Sequence, residues 1–356
     1  MPQKIKASGI DRDEKFGIFR KRIQAPSSPS FETPTKCLKN ILYIPPNFKI
    51  NEVIKRVTPE MVESIQIGQY PSPKTITKKF LPNKLNLTIF HLMYDKVPRE
   101  DECETIVHYL YPASESTLFL PTVRIAMLKE GNKISDKKVD DYVGMMRCMI
   151  DTTETTVNTK AFIGTVPLIA PKFSRKIVNL YLDKGITAFA IDGGTRDFLN
   201  HVAEFRTILS EISKQNPLEK SFIYACNLGI PRYEENRARA DDFLSILAYV
   251  DAFGTTFKTR GGRGMWGERR AKQFVKEHLF YNVSNYYEFC REKNLSISRA
   301  WRFLVEFNQV EQLREASEVR SLVGKEKIQN YLDKKTGIDE IAMKRLGSIA
   351  EKVKIT

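Results

Sequence analysis

Two aspartates follow apolar runs that are typical of buried β-strands, where a carboxylate can serve as a nucleophile or a base. Asp192 ends the run ITAFAID and precedes the pair Gly193-Gly194, and Asp95 ends the run LNLTIFHLMYD. In barrels of alternating strands and helices, functional side chains lie at the carboxyl ends of the strands. Because a carboxylate after an apolar strand is costly unless it is solvated or paired, Asp192 is the strongest candidate for a catalytic group.

Structural roles are open for the same carboxylates. Asp192 is also placed to cap the helix that is predicted to start near Arg196, and Asp95 is placed to begin a turn. Asp251 is a third catalytic candidate, but it opens a predicted strand instead of ending one. That position favours a structural role for Asp251.

Small and polar residues end two of the predicted strands and are candidates for substrate contacts. The glycine pair after Asp192 exposes backbone that a ligand can approach closely. The run SFIYACNLG ends in an asparagine, a leucine and a glycine. The predicted substrate-binding residues are therefore Gly193, Gly194, Asn227 and Gly229.

The chain is basic, which favours polyanionic partners. It has 57 Lys and Arg against 43 Asp and Glu, a formal net charge of +14. Between positions 258 and 276, directly after a predicted strand, seven basic residues and one acidic residue alternate with glycines that leave N–H groups open to phosphates. The predicted nucleic-acid contacts are Lys258, Thr259, Arg260, Arg263, Arg269 and Arg270. A solvated surface loop is the alternative interpretation.

Cysteine and histidine are too dispersed to indicate a metal site. The five cysteines include no CxxC pair and the four histidines no HExxH spacing, so we expect neither zinc nor a disulfide framework. Free thiols indicate a reducing compartment. No run approaches the roughly 18 apolar residues of a membrane span, and the N-terminus lacks the apolar core of a signal peptide. We therefore expect a cytoplasmic protein with no cofactor and no membrane partner.

Apolar strand-like runs alternate with amphipathic helical patterns in the middle of the chain. The predicted strands are 85–95, 116–128, 160–170, 186–194, 221–229 and 251–257. The predicted helices between them are 98–111, 135–151, 174–185, 196–214 and 235–250. This alternation indicates βαβ units and a parallel sheet. A doubly wound sheet and a (β/α)8 barrel both fit, and the barrel is preferred because no GxGxxG fingerprint follows the first strand.

Three regions are expected on this basis. Residues 1–84 form a proline-rich arm or hairpin with the first barrel elements, including one short helix at 58–66. Residues 85–270 form the barrel body, and residues 271–356 form a helical extension with helices at 285–293, 297–322 and 325–354. The expected fold is α/β, a TIM-like barrel with an N-terminal extended arm and a helical C-terminal extension.

Three segments, in order and at comparable spacing over about 230 residues, resemble the tRNA-guanine transglycosylases. FETPTKC (31–37) is similar to the ETP signature near the start of that family. FIGTVPLIAPKFSRKIVNLYLDKGITAFAIDGG (162–194) is similar to a segment that ends in paired glycines. DAFGTTFKTRGGRG (251–264) resembles the family's stretch D-x-F-D-x-x-x-P-T-R-x-x-R-x-G most closely.

The resemblance implies a TIM-barrel enzyme that replaces guanine in a nucleic acid with a 7-deazaguanine base, which is a co-substrate. One aspartate attacks the anomeric carbon of the sugar, and a second acts as the general acid and base that transfers protons. By the same resemblance, Gly193 and Gly194 line the base pocket, and Arg260 and Arg263 hold the nucleic acid.

The sequence departs from the family at its catalytic positions. Gly254 stands where the family has its nucleophilic aspartate, the D-S-G-G-F motif is not recognisable, and the C-terminal zinc motif is absent. An active enzyme then needs Asp192, Asp95 or Asp251 as its carboxylate. One branch of the family acts on DNA, and the lack of a tRNA-binding appendage together with the basic helical tail mildly favours DNA over tRNA.

Two other functions are open. Gly254 favours a catalytically inactive transglycosylase-like subunit that binds nucleic acid within a heteromer, and both homo- and hetero-oligomers fit the sequence. A covalent protein–oligonucleotide complex, which only a nucleophilic enzyme forms, separates that subunit from an active enzyme. An unrelated phosphate-binding α/β enzyme would instead bind a mononucleotide tightly and oligonucleotides with little salt dependence.

If the basic stretch grips phosphates, Arg260→Ala and Arg263→Ala should each weaken oligonucleotide binding and flatten its salt dependence, because each variant loses one phosphate contact. The measurement is a binding titration at several salt concentrations. Unchanged salt slopes in both variants would place the contact elsewhere.

Overall fold

The computed structural model describes residues 4–13, 15–26, 28–69, 79–113, 118–156, 160–230, 232–234, 237–257, 278–282, 286–290, 297–335 and 338–353. Parallel strands alternate with helices through the middle of this described part. The α/β class predicted from the sequence is therefore confirmed.

Short strands dominate the architecture. In chain order they are β1 (Lys6–Asp13), β2 (Ile18–Gln24), β3 (Phe31–Glu32), β4 (Thr35–Lys36), β5 (Ile50–Val57), β6 (Leu85–Leu92), β7 (Leu118–Val123), β8 (Lys129–Glu130), β9 (Lys133–Ile134), β10 (Ala161–Phe162), β11 (Gly164–Pro167), β12 (Ala188–Asp192), β13 (Phe222–Cys226), β14 (Arg232–Glu234), β15 (Arg237–Ala238), β16 (Ala252–Phe253), β17 (His278–Asn282) and β18 (Tyr286–Cys290). The central strands β6, β7, β12 and β13 consist largely of apolar residues, many of them β-branched or aromatic, which suit a buried pleated surface.

The helices start at recognisable signals. They are α1 (Pro59–Gln66), α2 (Glu100–Ala113), α3 (Asp136–Thr155), α4 (Pro171–Asp183), α5 (Val202–Gln215), α6 (Asp241–Leu244), α7 (Ile297–Leu322), α8 (Ile328–Leu332) and α9 (Glu340–Lys352). Thr58 caps α1 by accepting a hydrogen bond from Met61 N at 3.3 Å, and proline occupies the first position of α1 and of α4. The sequence predictions at 58–66 and 297–322 are confirmed.

Two parallel sheets form the centre of the molecule. One has the strand order β10-β7-β6-β5 and the other β11-β12-β13-β16-β4. Ile163 alone separates β10 from β11 along the chain. At the opposite edges, Leu38 bridges Asn51 in parallel, with Leu38 N donating to Ile50 O at 3.0 Å and Glu52 N donating to Leu38 O at 2.8 Å. The two sheets are thus linked at both of their edges.

Strand side chains alternate between two apolar clusters. One cluster contains Leu87, Ala190 and Tyr224 and lies against the N-terminal strands, where Phe31 meets Phe222 edge-on with ring centroids 6.4 Å apart. The other cluster joins the intervening strand residues, such as Phe189, to the helices. The strands are buried on both faces, as parallel strands usually are. By period-two alternation, residues 91 and 192 continue the first face at the carboxyl ends of β6 and β12.

The N-terminal arm is an antiparallel sheet of order β1-β2-β3. The hairpin-like arm expected from the sequence is therefore confirmed. Its buried residues Ile23 and Phe31 cover the amino ends of the parallel strands and leave the carboxyl ends uncovered by this sheet.

Several sequence predictions about elements were wrong. The helix predicted at 235–250 is reduced to α6 and a following 3₁₀ turn, because the chain before it pairs as β14 and β15. The helix predicted at 285–293 is β18, whose aromatic-rich sequence suits its pairing with β17. The extension after residue 270 is therefore not all helical.

Two further differences concern element boundaries. The helix predicted at 325–354 is divided into α8 and α9, because Asp339 starts a new helix by accepting from Ala342 N at 2.6 Å. β5 was not predicted, since its charged residues and flanking prolines obscure the strand pattern.

A buried ion pair joins the N-terminal sheet to the amino end of β16. Lys21 Nζ donates to Asp251 Oδ2 at 2.8 Å and to the carbonyl oxygens of Leu218 and Ser221, while Asp251 Oδ2 also accepts from Ile223 N at 2.8 Å. Burial lowers the pKa of Lys21 and raises that of Asp251, and their mutual attraction opposes both shifts. Asp251 thus joins structural elements at the end of the sheet opposite Asp192.

Asp251→Asn should lower the free energy of unfolding by about 3–5 kcal/mol, because it leaves the ammonium of Lys21 buried without its countercharge. Denaturant titration measures the loss. Lys172→Gln is the control, since it breaks an exposed pair with Asp136 and should cost less than about 1 kcal/mol. Equal losses in the two variants would contradict the role assigned to the buried pair.

Candidate functional site

A cavity of about 1260 Å³ opens where several parallel strands end. Its walls come from the segments after β5, β6, β7, β12 and β16. The lining side chains that bear on chemistry are Arg56, His91, Asp95, Lys96, Arg99, Arg124, Lys129, Thr195 and Phe257. This is the edge at which the sequence predicted catalytic groups.

Asp192 is fixed in place at this edge. It ends β12, is 1% exposed, and its Oδ1 accepts from Gly194 N and from Asn227 Nδ2, both at 3.0 Å. The Oδ1 of Asn227 accepts in turn from Phe257 N at 2.9 Å. Asp192 does not cap the following helix, since its carboxylate holds the loops after β12 and β13 instead.

The predicted substrate-binding glycines allow two loops to pack backbone against backbone. Thr195 N donates to Asn227 O at 2.7 Å, and Gly229 N donates to the carbonyl of Arg196 at 2.8 Å. A Cβ on Gly193 would lie 2.8 Å from Asn227 O, and one on Gly229 would overlap the carbonyl of Thr195. These two glycines therefore have a packing role.

Gly194 and Asn227 have different positions relative to the cavity. Gly194 lines it and has a φ of +57°, a conformation that favours glycine. Asn227 is fully buried behind Gly193 and holds the Asp192 carboxylate. The predicted substrate-binding set is thus brought together by the fold, with Gly194 as the member on the cavity wall.

Asp95 lies on the same cavity but in a different environment. Its side chain is 84% exposed, and its Oδ1 accepts from Arg124 Nη1 at 2.8 Å. The fold therefore brings Asp95 and Asp192 to one edge of the sheets, one carboxylate solvated and the other buried.

The space beside Gly254 is occupied by a carboxylate from another strand. Glu52 of β5 accepts from the hydroxyl of Tyr224, from Thr255 Oγ1 at 2.7 Å, and from Thr255 N at 3.1 Å. A Cβ on Gly254 would overlap Glu52 Oε1 and the Tyr224 hydroxyl. Sequence reasoning missed Glu52, because the charged residues of β5 obscure the strand that carries it.

A buried lysine, Lys36, belongs to the same cluster as Glu52, Tyr224 and Gly254, which is the central cluster of the molecule. Lys36 Nζ donates to Gly254 O at 2.7 Å and lies 4.3 Å from the centroid of the Phe253 ring. Burial lowers the pKa of Lys36, and the carboxylates of Asp242 and Glu52 oppose that change. Burial and the neighbouring Glu52 raise the pKa of Tyr224, so its hydroxyl stays protonated and donates.

His91 is a second group that sequence reasoning missed. It is 4% exposed, its Nδ1 is 3.0 Å from Thr122 Oγ1, and its ring meets that of Phe257 edge-on with centroids 5.4 Å apart. An imidazole on a cavity wall can accept and donate a proton. Its place two residues after Ile89 in β6 was the available signal.

The predicted nucleic-acid contacts fall outside the described residues. They are Lys258, Thr259, Arg260, Arg263, Arg269 and Arg270. Within the described ranges, no group of three His, Cys, Asp or Glu residues is arranged to hold a metal ion. Among the helices described, none is long and apolar enough to cross a membrane.

Comparison with protein-family models gave no match to this sequence. Comparison with curated proteins likewise found no similar sequence.

Gly254→Ala should lower the free energy of unfolding by about 1–3 kcal/mol, because the added methyl group overlaps Glu52 and Tyr224. Gly144→Ala in α3 is the matched control, because open space surrounds it and alanine should stabilise the helix by about 1 kcal/mol. Thermal or denaturant unfolding measures both. A neutral Gly254→Ala variant would show that the central cluster is loosely packed.

Proposed function

We propose that this protein is a base-exchange transglycosylase that replaces guanine in a nucleic acid with a 7-deazaguanine derivative, with DNA mildly favoured over tRNA. The observation that carries the proposal is the Asp192 carboxylate. It is buried and held by two hydrogen bonds at the end of a parallel strand, beside a cavity with a cationic rim. The resemblance of the segments 162–194 and 251–264 to the guanine transglycosylases supports the same reaction.

We further propose that the parallel strands form one closed (β/α)8 barrel. The order would be β4, β5, β6, β7, the combined β10 and β11, β12, β13 and β16. The links between the sheets at Ile163 and between Leu38 and Asn51 support this arrangement. Asp192 and His91 would then lie at one barrel mouth, as in other enzymes of this architecture.

The reaction is a double displacement at the anomeric carbon. An oxygen of Asp192 forms a bond to C1′ of the sugar while the bond from C1′ to guanine N9 breaks, and the electron pair leaves with guanine, which takes up a proton. The incoming 7-deazaguanine then loses its N9 proton and displaces the carboxylate. Fixing Asp192 by Asn227 and Gly194 N orients it for in-line attack.

Two side chains on the cavity are candidates for the proton transfers. Asp95, the candidate from the sequence, is solvated and paired with Arg124. His91 is buried against Thr122 and Phe257. Both side chains line the same cavity, so each lies on the walls that would hold the substrate.

An inactive nucleic-acid-binding subunit is the second candidate function. The observation that favours it is that Glu52 and Tyr224 fill the space beside Gly254, where the resemblance expects a nucleophile. Such a subunit would bind oligonucleotides without exchanging bases, alone or as part of a cytoplasmic oligomer.

The test is incubation with DNA and with tRNA in the presence of labelled guanine or a labelled 7-deazaguanine. The labelled polymer identifies the substrate, and denaturing electrophoresis detects the covalent intermediate. Salt-dependent binding without any exchange or covalent complex would favour the inactive subunit.

Asp192→Asn should abolish both base exchange and covalent trapping while leaving oligonucleotide affinity nearly intact, because an amide is a poor nucleophile. Asp183→Asn on the exposed end of α4 is the matched control and should retain full activity. Asp95→Asn should slow exchange by about 10²–10⁴-fold if Asp95 transfers the proton. Full exchange by Asp192→Asn would make the assignment of the nucleophile wrong.

A further inference from the structure

We propose that the cationic side chains at the carboxyl end of β5 and in the segments after β6 and β7 bind the sugar-phosphate backbone of a nucleic-acid strand. These residues are Arg56, Lys96, Arg124 and Lys129. The inference rests on the proposed function for the identity of the polyanion, and it assigns the substrate-binding face to a part of the chain that the sequence patterns did not single out.

The charge of the cavity wall is the first observation. Five cationic side chains line it, the four named above and Arg99, against the three carboxylates of Glu60, Asp95 and Glu102. A cleft lined mainly by one sign of charge concentrates the field on a ligand of opposite sign. The wall therefore attracts an anionic ligand.

The pairing of these cations is the second observation. Arg124 is paired with Asp95, and Arg99 lies beside Asp101 and Glu102. Arg56, Lys96 and Lys129 have no ion pair with a carboxylate in the described part of the chain. Their charge is thus available to an anion from outside.

A further cation lies next to this wall, in the segment after β4. Lys39, two residues beyond Cys37, lines a neighbouring cavity of about 640 Å³ together with Thr255 and Thr256. Its pKa is lowered, first by burial, and repulsion from Arg56 and Lys79 adds to that decrease while Glu52 opposes it. Cations therefore accumulate along the edge from β4 to β7.

The arrangement fits a linear polyanion better than a single phosphate. The cations come from β5, β6 and β7 and the segments after them, which neighbour each other in one sheet, and from the segment after β4, which is bridged to β5 through Leu38 and Asn51. At about 4.8 Å per strand, the row spans about 14 Å. That length exceeds the axial rise of about 3.4 Å per nucleotide of one duplex strand, so the row can contact more than one phosphate. The cavity of about 1260 Å³ also exceeds the range of roughly 300–1,000 Å³ usual for small-molecule pockets.

The position of the row relative to Asp192 is consistent with the chemistry. Gly194, whose N–H donates a hydrogen bond to the Asp192 carboxylate, lines the same cavity as Arg56 and Lys96. A strand held by its phosphates along this row would present a base to the edge at which the carboxylate is fixed.

The experiment uses the full-length protein and a fluorescent single-stranded DNA oligonucleotide of mixed sequence. Anisotropy titrations between about 50 and 200 mM salt give the dissociation constant and its salt dependence. The variants are Arg56→Gln, Lys96→Gln and their combination. Arg147→Gln on α3 and Lys325→Gln after α7 are the matched controls, each removing one exposed charge away from the cavity.

Each lost phosphate contact should weaken binding about five- to eight-fold at 0.1 M salt and reduce the salt slope by about 0.7–0.9. The double variant should therefore bind about 25- to 60-fold more weakly, whereas the controls should match the unmodified protein. Because the substituted side chains are exposed, unchanged thermal unfolding would show that folding is not the cause.

Three outcomes would overturn the inference. The first is a salt slope in the double variant equal to that of the controls, and the second is no oligonucleotide binding by the unmodified protein. The third is a loss of inorganic phosphate affinity in the variants equal to their loss of oligonucleotide affinity, which would indicate a site for a single phosphate. Failure of the proposed function is distinguishable: binding that responds to the variants while no base is exchanged supports this surface and rejects the enzyme.

Discussion

Burial of the parallel strands on both faces is the constraint on which the rest of the structure depends. A strand covered by helices on one side and by other strands' side chains on the other can carry few polar groups along its length. Polar side chains therefore collect at the strand ends, where the chain leaves the apolar layers. The amino ends are covered by the N-terminal antiparallel sheet, so the carboxyl ends are the surface on which a site can form.

The buried charged side chains obey the same constraint on polar groups in the interior, because each has ion-pair or hydrogen-bond partners close to it. Lys21 and Asp251 neutralise each other at the amino ends, and Glu52 is held by three donors in the middle. Asp192 is held by Asn227 and a backbone N–H at the carboxyl ends. Each network connects elements distant in sequence, so it fixes their relative positions as well as its own charge.

Sequence patterns predicted the elements whose side chains repeat regularly. The run 85–95 contains β6, and α7 coincides with its predicted bounds because its helical period is long and uninterrupted. β5 was missed because Glu52, Lys55 and Arg56 interrupt its apolar pattern, although Glu52 is buried by contacts from strands far along the chain. The ends of β12 and β13 were found because aspartate, asparagine and glycine follow apolar runs. His91 was missed because a lone histidine in a strand has no motif spacing around it, and only its alternation with Ile89 indicated the face on which it lies.

The contact between Glu52, Tyr224 and Gly254 has an evolutionary consequence. A side chain at position 254 and a glutamate at position 52 compete for one volume, so neither position can change freely while the other stays the same. A carboxylate can therefore occupy this volume from β5 or from position 254, but not from both. Drift from one arrangement to the other would pass through an intermediate with a clash or a cavity. Positions 52, 224 and 254 are therefore expected to vary together within any lineage that contains this chain.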